Sequence, residues 1–394
     1  MLPLEGLRVI ECAEVLAGPY CGMLLADAGA EVIKIERPQV GDTMRENRPP
    51  DWNGEAAIFL GVNRNKKSVT LNIRHPAGQD LLRRLAAGAD VFIENFRTGV
   101  MERNGLGYER LSELNPRLVY CSISGFGRTG PYAERACFDI IAQGMSGQMS
   151  FTGEPGGRPV KAGVPISDLG AATLAALHIM IAVHARQRTG VGQLVETSLL
   201  EAAVAWTVWD AALYWATGEV SGPLGSAHRV VAPYQALKAR DGYLTINAGR
   251  QKQFELFCRL TGAERLIDDA RFLTLGDRRK NLDDLVVELE KDLAKKRRDE
   301  WLEIFREHGF AAGPIYTMDE VWNDPQIKHR GLVAELVHPV AGQVKAIAPA
   351  ARLSATPTSV RTPAPTLGQH TDEVLKKLGL GAADLRALKR AGAI

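Results

Sequence analysis

The sequence carries almost no surplus charge of either sign: 48 Lys and Arg stand against 46 Asp and Glu in 394 residues, a formal net charge of +2. Such balance excludes holding a nucleic-acid backbone or an anionic membrane by bulk charge, so any anion must be bound by a few locally placed side chains. Cysteine is scarce as well. Cys12, Cys21, Cys121, Cys137 and Cys258 are an odd number without CxxC or Cys-to-His ligand spacing, which points away from a disulfide framework and from a zinc site. They read as buried thiols of a reducing compartment. Glu5 and the missing apolar h-region after Met1 fit neither a signal nor a transit peptide, and a cytoplasmic protein is expected. No P-loop string, no GxSxG after a strand, no internal repeat and no low-complexity run is present. His178, His184, His228, His308, His329, His338 and His370 form no ligand spacing, so no metal is expected.

What is present describes a globular chain. Hydrophobic residues at 45% and charged residues at 24%, with 39 Gly and 20 Pro, suit a soluble protein with a substantial core, and the length fits two to three folding units. Through about residue 200 short β-branched runs alternate with helical ones, as in βαβ units around a mostly parallel sheet. Strands are predicted at 7–11, 31–36, 68–73, 90–94 and 118–123, and helices at 19–28, 76–87, 109–114 and 131–143. Two segments, 166–186 and 199–217, are apolar nearly all round and are expected to be buried core helices, since Asp168, His178, His184, Glu201 and Asp210 interrupt them as membrane spans. A smaller unit then begins. It holds a hairpin of 234–238 and 243–248 around Asp241-Gly242 and charged amphipathic helices at 250–261 and 282–308, the latter broken near Arg297-Arg298. Strands at 332–337 and 344–348, a Pro-rich stretch from Pro357 to Pro365 and a polar helix close the chain.

Three constellations could carry chemistry. Gly125-Phe-Gly127-Arg-Thr-Gly130 is a literal GxGxxG after a predicted strand, yet Pro131 follows the third glycine and no carboxylate stands where a ribose would need it. A plain glycine-rich turn fits better than a dinucleotide site. Arg37, Arg64, Lys66, Lys67, Arg74, Arg97 and Arg103 recur near strand ends, where open α/β sheets bind ligands and arginine forks grip phosphates. Taken singly each is an ordinary surface charge, whereas the pattern suggests a phosphorylated ligand. Asp168 sits at the start of an apolar helix, among Gly163, Gly170 and Ala171. It reads either as an N-cap or first-turn carboxylate, or as a nucleophile kept ionised by the helix end and able to form an acyl intermediate, approached past its small neighbours. Local sequence leaves both readings open.

Taken in order, a set of strings resembles the family III CoA-transferases, the family of formyl-CoA transferase and carnitine CoA-transferase, over nearly the whole chain. They are Leu4-Glu-Gly-Leu-Arg-Val-Ile10, Leu16-Ala-Gly-Pro19, Gly29-Ala-Glu-Val-Ile-Lys-Ile-Glu-Arg-Pro38, Asn63-Arg-Asn-Lys-Lys-Ser68, Glu94-Asn-Phe96, Ser124-Gly-Phe-Gly127 with Gly130-Pro131, Phe138-Asp139 with Gln143, Asp168-Leu-Gly170, Thr189-Gly-Val-Gly-Gln193, Asp324-Pro-Gln326 with Arg330-Gly331, and Leu367-Gly-Gln-His370. The resemblance implies an α/β fold: a Rossmann-like large domain with a mostly parallel sheet, plus a smaller α+β domain, in an interlocked homodimer. The corresponding layout is a large CoA-binding domain at 1–200, a linker at 201–224, a small domain at 225–330 and a return to the large domain at 331–394.

It also implies a reaction. CoA passes from an acyl-CoA to a free carboxylic acid, with Asp168 as nucleophile, through an acyl-aspartyl anhydride and an aspartyl-CoA thioester, without metal or redox cofactor. The CoA contacts carry over to Val15, Leu16, Ala17, Arg37, Leu71, Arg74, Asn95, Phe96 and Arg103. The substrate pocket carries over to Phe138, Asp139 and Gln143, with Ser226 and His228 from the segment 222–229. Two departures stand out. Ala136-Cys137 replaces a lysine that some members carry, and the glycine-rich loop of oxalate-using members has no counterpart in Gly222-Pro-Leu-Gly-Ser-Ala-His228, so oxalate is not expected. Succinyl-CoA is a common donor in the family the chain resembles, and side chains of Ser226 to Arg229 could receive a second carboxylate, so succinyl-CoA and a dicarboxylic acid are expected. The related α-methylacyl-CoA racemases need a histidine immediately before Asp139, where this chain has Phe138, and phenylalanine moves no proton. A non-catalytic acyl-CoA-binding relative is the other alternative, against which an intact Asp168 argues.

Overall fold

Val, Ile and aromatic runs in the first two hundred residues form strands that are buried on both faces, as parallel sheets require. The computed structural model describes residues 1–394 and divides into two compact units: Met1–Gln148, Lys161–Thr217 and Lys328–Ile394 make the first, Met149–Val160 and Gly218–Ile327 the second. The first unit is built on six parallel strands, β1 (Arg8–Cys12), β2 (Glu31–Glu36), β3 (Lys66–Thr70), β4 (Val91–Glu94), β5 (Val119–Ser124) and β6 (Leu194–Ser198). Their order is β3-β2-β1-β4-β5-β6, so the winding reverses between β1 and β4, the place where such sheets open a crevice at their carboxyl ends.

Alternation along the strands sorts the two faces. Val9, Val32, Val91 and Ile93 pack with the helices Ala17–Asp27 and Ile166–Thr189 through Cys21, Leu25, Ala172 and Ala175. Ile10, Ile33, Phe92 and Tyr120 pack on the other face against Leu82 and Leu111, and against Leu375, Leu385 and Ile394 from the end of the chain. The closing segment thus belongs to the core of the first unit. The second unit carries a three-stranded antiparallel sheet, Ala312–Pro314, Tyr243–Asn247 and Tyr234–Lys238. Its core is aromatic, with Phe254, Phe257, Trp301, Phe305 and Phe310 buried together.

Several elements differ from expectation. Leu194–Ser198 is a sixth strand, hidden in sequence by Glu196 and Thr197. The helix expected from Pro131 starts at Asp139, because Gly127 and Gly130 take left-handed φ values of 96° and 89° and the chain turns through 131–137. Residues 201–217, expected within a linker, are helical and lie in the first unit, as Leu199–Ala205 and Val208–Thr217. Met149–Val160 joins the second unit without any composition signal. The apolar helices are also less buried than their composition suggested. Ile166–Thr189, long and apolar enough to cross a membrane, has half of its most apolar window buried. Val208–Thr217 buries no residue, leaving Trp209 59% and Trp215 80% exposed.

Beneath the helix Ala17–Asp27 lies a set of charges shut away from water. Lys34 Nζ is 3.1 Å from Glu11 Oε1 and 2.8 Å from Asp42 Oδ2, with all three side chains fully buried, and it donates to the Ala13 carbonyl at 2.7 Å. Lys66 Nζ is 2.7 Å from Glu11 Oε2 and donates to Pro19 O and Asn63 Oδ1. Glu36 accepts from both Arg45 Nε and Nη2, from Ser68 Oγ at 2.6 Å and from the Asp42 amide. Burial works against the Lys34 charge, but Glu11, Asp42 and Glu36 outweigh it and hold the ammonium above the ordinary lysine range. Burial, with Lys34 adding to it, pulls Lys66 down to about 8. Removing one partner from such a set strands the others. Lys34→Met is expected to lower the unfolding free energy by about 3–5 kcal/mol, read from chemical denaturation at neutral pH, whereas replacing the exposed Lys345 beside Glu335 costs less than about 1 kcal/mol.

Candidate active site

A cavity of about 770 Å³ opens at the carboxyl ends of β2, β3 and β4, walled by Glu14, Arg37, Thr70, Asn72, Arg74, Phe96 and Arg97 among others. Beside it a smaller hollow of about 180 Å³ is lined by Asn95, Phe96, Arg97, Ser124, Gly125, Cys137 and Phe138. Phe96 and Arg97 belong to both walls, so the two spaces form one track along the strand ends. A hollow of about 850 Å³ in the second unit, beside Leu273, Leu275 and Arg278, is larger but gathers neither a carboxylate nor a nucleophile. Chemistry therefore points to the strand-end track.

The track's backbone is held in an uncommon shape. Val15 has φ +70°, a left-handed conformation that a β-branched residue adopts only where its surroundings impose it. The clamps are visible: the Val15 amide donates to Asp42 Oδ1 at 3.1 Å and the Glu14 amide to Asn95 Oδ1 at 2.9 Å, while Asn95 Nδ2 donates to the Glu14 carbonyl at 2.7 Å. Asp42 and Ala13 in turn belong to the buried Lys34 set. Arg37 Nε pairs with Glu14 Oε1 at 3.1 Å, both partly exposed.

The basic residues near strand ends separate into two groups. Arg64 is buried on Asp27, Lys66 on Glu11, and Lys67 lies between Glu31 and Glu373; these are structural. Arg37, Arg74 and Arg97 line the cavity. Arg103 ends the short helix Val100–Arg103 whose Val100 borders the cavity. Of the remaining expected CoA contacts, Asn95 and Phe96 line the track and Val15 is surface-exposed beside Glu14. Leu16 flanks the helix start, Ala17 is buried, and the Leu71 side chain is buried in the core, leaving its neighbours Thr70 and Asn72 as lining.

Asp168 is the third residue of the helix Ile166–Thr189, preceded by Pro165. Its side chain caps nothing and meets no hydrogen-bond donor or cation. The capping is done by Asp139, the first residue of Asp139–Met145: its Oδ1 accepts from the Ser167 amide at 2.9 Å and its Oδ2 from Gln143 Nε2 at 2.6 Å. Gln143, fully buried, accepts from the Ala162 amide through Oε1. Partial burial, and then the charge of Asp139, push the Asp168 carboxyl up to about 7. The helix end therefore does not hold it in the ordinary carboxylate range, because desolvation and a like charge win. A partly buried carboxyl without a partner, poised near neutrality, is a signature of a reacting group.

Cys137 stands close enough to Asp168 to feel its charge, and burial pushes its thiol up to about 11. Gly125 makes that position possible, since a Cβ there would fall 2.3 Å from the Cys137 Cβ; the literal GxGxxG serves this approach, with no helix starting inside it. Gly170 serves packing too. A Cβ there would lie 2.2 Å from Trp206 Nε1, so the space beside it is filled by an indole rather than kept open for a ligand. Phe138 is 67% exposed. Ser226 and His228 belong to the second unit: Ser226 Oγ accepts from the Ala236 amide, and His228 Nδ1 accepts from the Val230 and Val231 amides. No cluster of three or more His, Cys, Asp or Glu side chains is placed to hold a metal ion.

Fold and site together define a doubly wound α/β protein with a cation-lined cavity at its strand ends and, next to it, a hollow lined by Cys137, which lies near the lone carboxylate of Asp168. Residues 4–371 match CoA-transferase family III. The chain is 42% identical over 378 residues to succinyl-CoA:glutarate CoA-transferase of Mus musculus, covering 96% of this chain and 87% of that one. It is 38% identical over 382 residues to succinate–glutarate CoA-transferase of Agrobacterium fabrum, covering 95% and 96%. A solved structure of a CAIB/BAIF family protein from Brucella suis superposes with a TM-score of 0.88 at 40% identity, over 96% of this chain and 99% of that one. The chain belongs to CoA-transferase family III and is an enzyme that transfers coenzyme A.

The raised Asp168 pKa fixes a sign. A carboxyl that protonates more readily folded than unfolded weakens the fold above its folded pKa and costs nothing below its ordinary value of 3.8. Asp168→Asn is therefore expected to be more stable than the parent at pH 8, by about 2–4 kcal/mol, with no difference near pH 3.5, measured by thermal unfolding across pH.

Proposed function

We propose that this enzyme moves CoA from succinyl-CoA to a short dicarboxylic acid, with Asp168 as the covalent relay. The observation that carries the reading is the unpartnered Asp168 carboxyl beside a cation-lined track. The donor is suggested by the relatives named above and by a succinyl-CoA–D-citramalate CoA-transferase of Chloroflexus aurantiacus, 39% identical over 392 residues. Arg37, Arg74 and Arg103 take the phosphates of CoA, as charge-assisted partners at strand ends. Asn95 and Phe96 guide the pantetheine arm, and Phe138, Asp139 and Gln143 shape the acyl site.

In the first step an Asp168 oxygen attacks the thioester carbonyl. The C–S bond breaks, its electron pair leaves on the CoA sulfur, and a mixed acyl-aspartyl anhydride remains. The thiolate attacks the aspartyl carbonyl of that anhydride, releasing the donor carboxylate and leaving an aspartyl-CoA thioester. The acceptor carboxylate repeats both steps in reverse and returns Asp168 as a carboxylate. No proton or water is consumed overall, so excluding water, which would hydrolyse either intermediate, is the main demand on the site. Asp139, tied to Ser167 and Gln143, keeps a negative charge beside the nucleophile; the like charge favours conversion of Asp168 to its neutral acyl forms. The working state is a homodimer in the cytoplasm: the exposed apolar faces of Ile166–Thr189 and Val208–Thr217 invite burial against a second copy, and no cysteine is engaged in a disulfide.

Asp168→Ala is expected to lose transfer by on the order of 10³-fold or more while binding CoA esters as the parent does. Intact-mass spectrometry of the parent incubated with succinyl-CoA should show a CoA adduct absent from the variant. Transfer by the variant at parental rates would end the nucleophile assignment. Deuterium entering the α-carbon of an acyl-CoA without any acceptor acid would instead indicate racemase chemistry.

A further inference from the structure

The end of the chain returns to the strand-end cavity. The Asn72 amide donates to the Ala393 carbonyl at 2.9 Å and Asn72 Nδ2 to the Gly392 carbonyl at 3.1 Å. Ile394 is buried in the same core cluster as Leu71 and Phe92. Pinned in this way, Lys389, Gly392 and Ile394 form part of the wall that also holds Arg37, Arg74 and Arg97. Among its side chains the wall thus presents four cations and one acid, Glu14, which is already engaged with Arg37. Lys389 Nζ rests 2.8 Å from Asp372 Oδ1, with both side chains about half exposed at 53% and 50%. An exposed pair of this kind is weak, so its ammonium can exchange Asp372 for a stronger anion at little cost.

We propose that Lys389 is a phosphate-binding residue of this cavity, and that residues 389–394 are a ligand-binding element as well as core packing. The proposal rests on reading the cavity as the acyl-CoA site, and its chemistry is that of a compact ammonium gripping a phosphoryl oxygen. The 3′-phosphate and the pyrophosphate of CoA are both sources of that group, and the substrate arms below distinguish them. Asn72 is the positioning residue, since its two hydrogen bonds set where the segment runs.

The test compares KM and kcat of the full enzyme for succinyl esters of CoA, of 3′-dephospho-CoA and of pantetheine. Lys389→Gln should raise KM for the CoA ester about five- to tenfold, as loss of a charge-assisted contact does, leave kcat unchanged, and leave the phosphate-free pantetheine ester unaffected. An effect persisting with the dephospho ester assigns the contact to the pyrophosphate; one vanishing there assigns it to the 3′-phosphate. Lys389→Arg should restore most of the affinity. Asp372→Asn, which removes the same ion pair but no phosphate ligand, should leave KM unchanged or lower it. If Asp372→Asn raises KM as Lys389→Gln does, or if the pantetheine ester is equally affected, the role is structural and the proposal is overturned. If Arg74→Gln raises KM while Lys389→Gln does not, the cavity reading stands and the Lys389 assignment falls. Unchanged KM in both variants overturns the cavity reading itself, and Lys389 with it.

Discussion

The charges sealed between β1, β2 and β3 are the constraint on which the rest of the first unit depends. Glu11, Lys34, Asp42 and Lys66 have no water to fall back on, so each needs its partner in place, and satisfying them dictates where the segment 37–45 runs. Asp42 then holds the Val15 amide, and Lys34 holds the Ala13 carbonyl. Through these two contacts the ion set keeps residues 13–15 in a conformation that a valine would not choose. Buried ion pairs contribute little net stability compared with apolar packing, because desolvation consumes the attraction. Their effect here is selective: one loop shape satisfies all the charges, and that shape is the rim of the cavity.

Position decides function among residues of one type. Lys66 and Lys67 are neighbours, yet one is buried on Glu11 and the other bridges surface carboxylates, while Arg74, a few residues on, has no ion-pair partner and faces the cavity. The two acids of the site divide in the same way. Asp139 accepts a hydrogen bond on each oxygen and serves as a cap, whereas Asp168 has burial and a like charge and no compensation. Environments that separate two carboxyl groups so sharply are the usual means by which one of them is made reactive near neutral pH.

Among the apolar residues left exposed are Leu177 and Ile181 on Ile166–Thr189, Val204 on the next helix, and Val208, Tyr214 and Trp215 on the one after it. Their composition reads as interior, and periodicity alone cannot tell whether an interior is completed by the same chain or by another surface. For this reason Ile166–Thr189 is half covered where 166–186 reads as buried, and 199–217 divides into a helix that buries Leu199, Ala202 and Ala203 and a second that buries no residue.

Much was legible in the residues themselves. β-branched runs place β1, β2, β4 and β5, since burial on both faces leaves little choice of side chain, and an ordered series of short strings identifies the family. Glu196 and Thr197 hide β6, because an edge strand tolerates polar residues that a central one does not, and the turn at 131–137 carries a helix-like pattern. Other features required the folded chain. That Asp168 lacks a partner while Asp139 has several, that Gly170 is packed against Trp206, and that Lys389 reaches the wall shared with Arg74 follow from contacts between residues far apart in sequence. Local pattern records what a residue can do; which charges are paired, buried or left to meet a ligand depends on the distances that only packing sets.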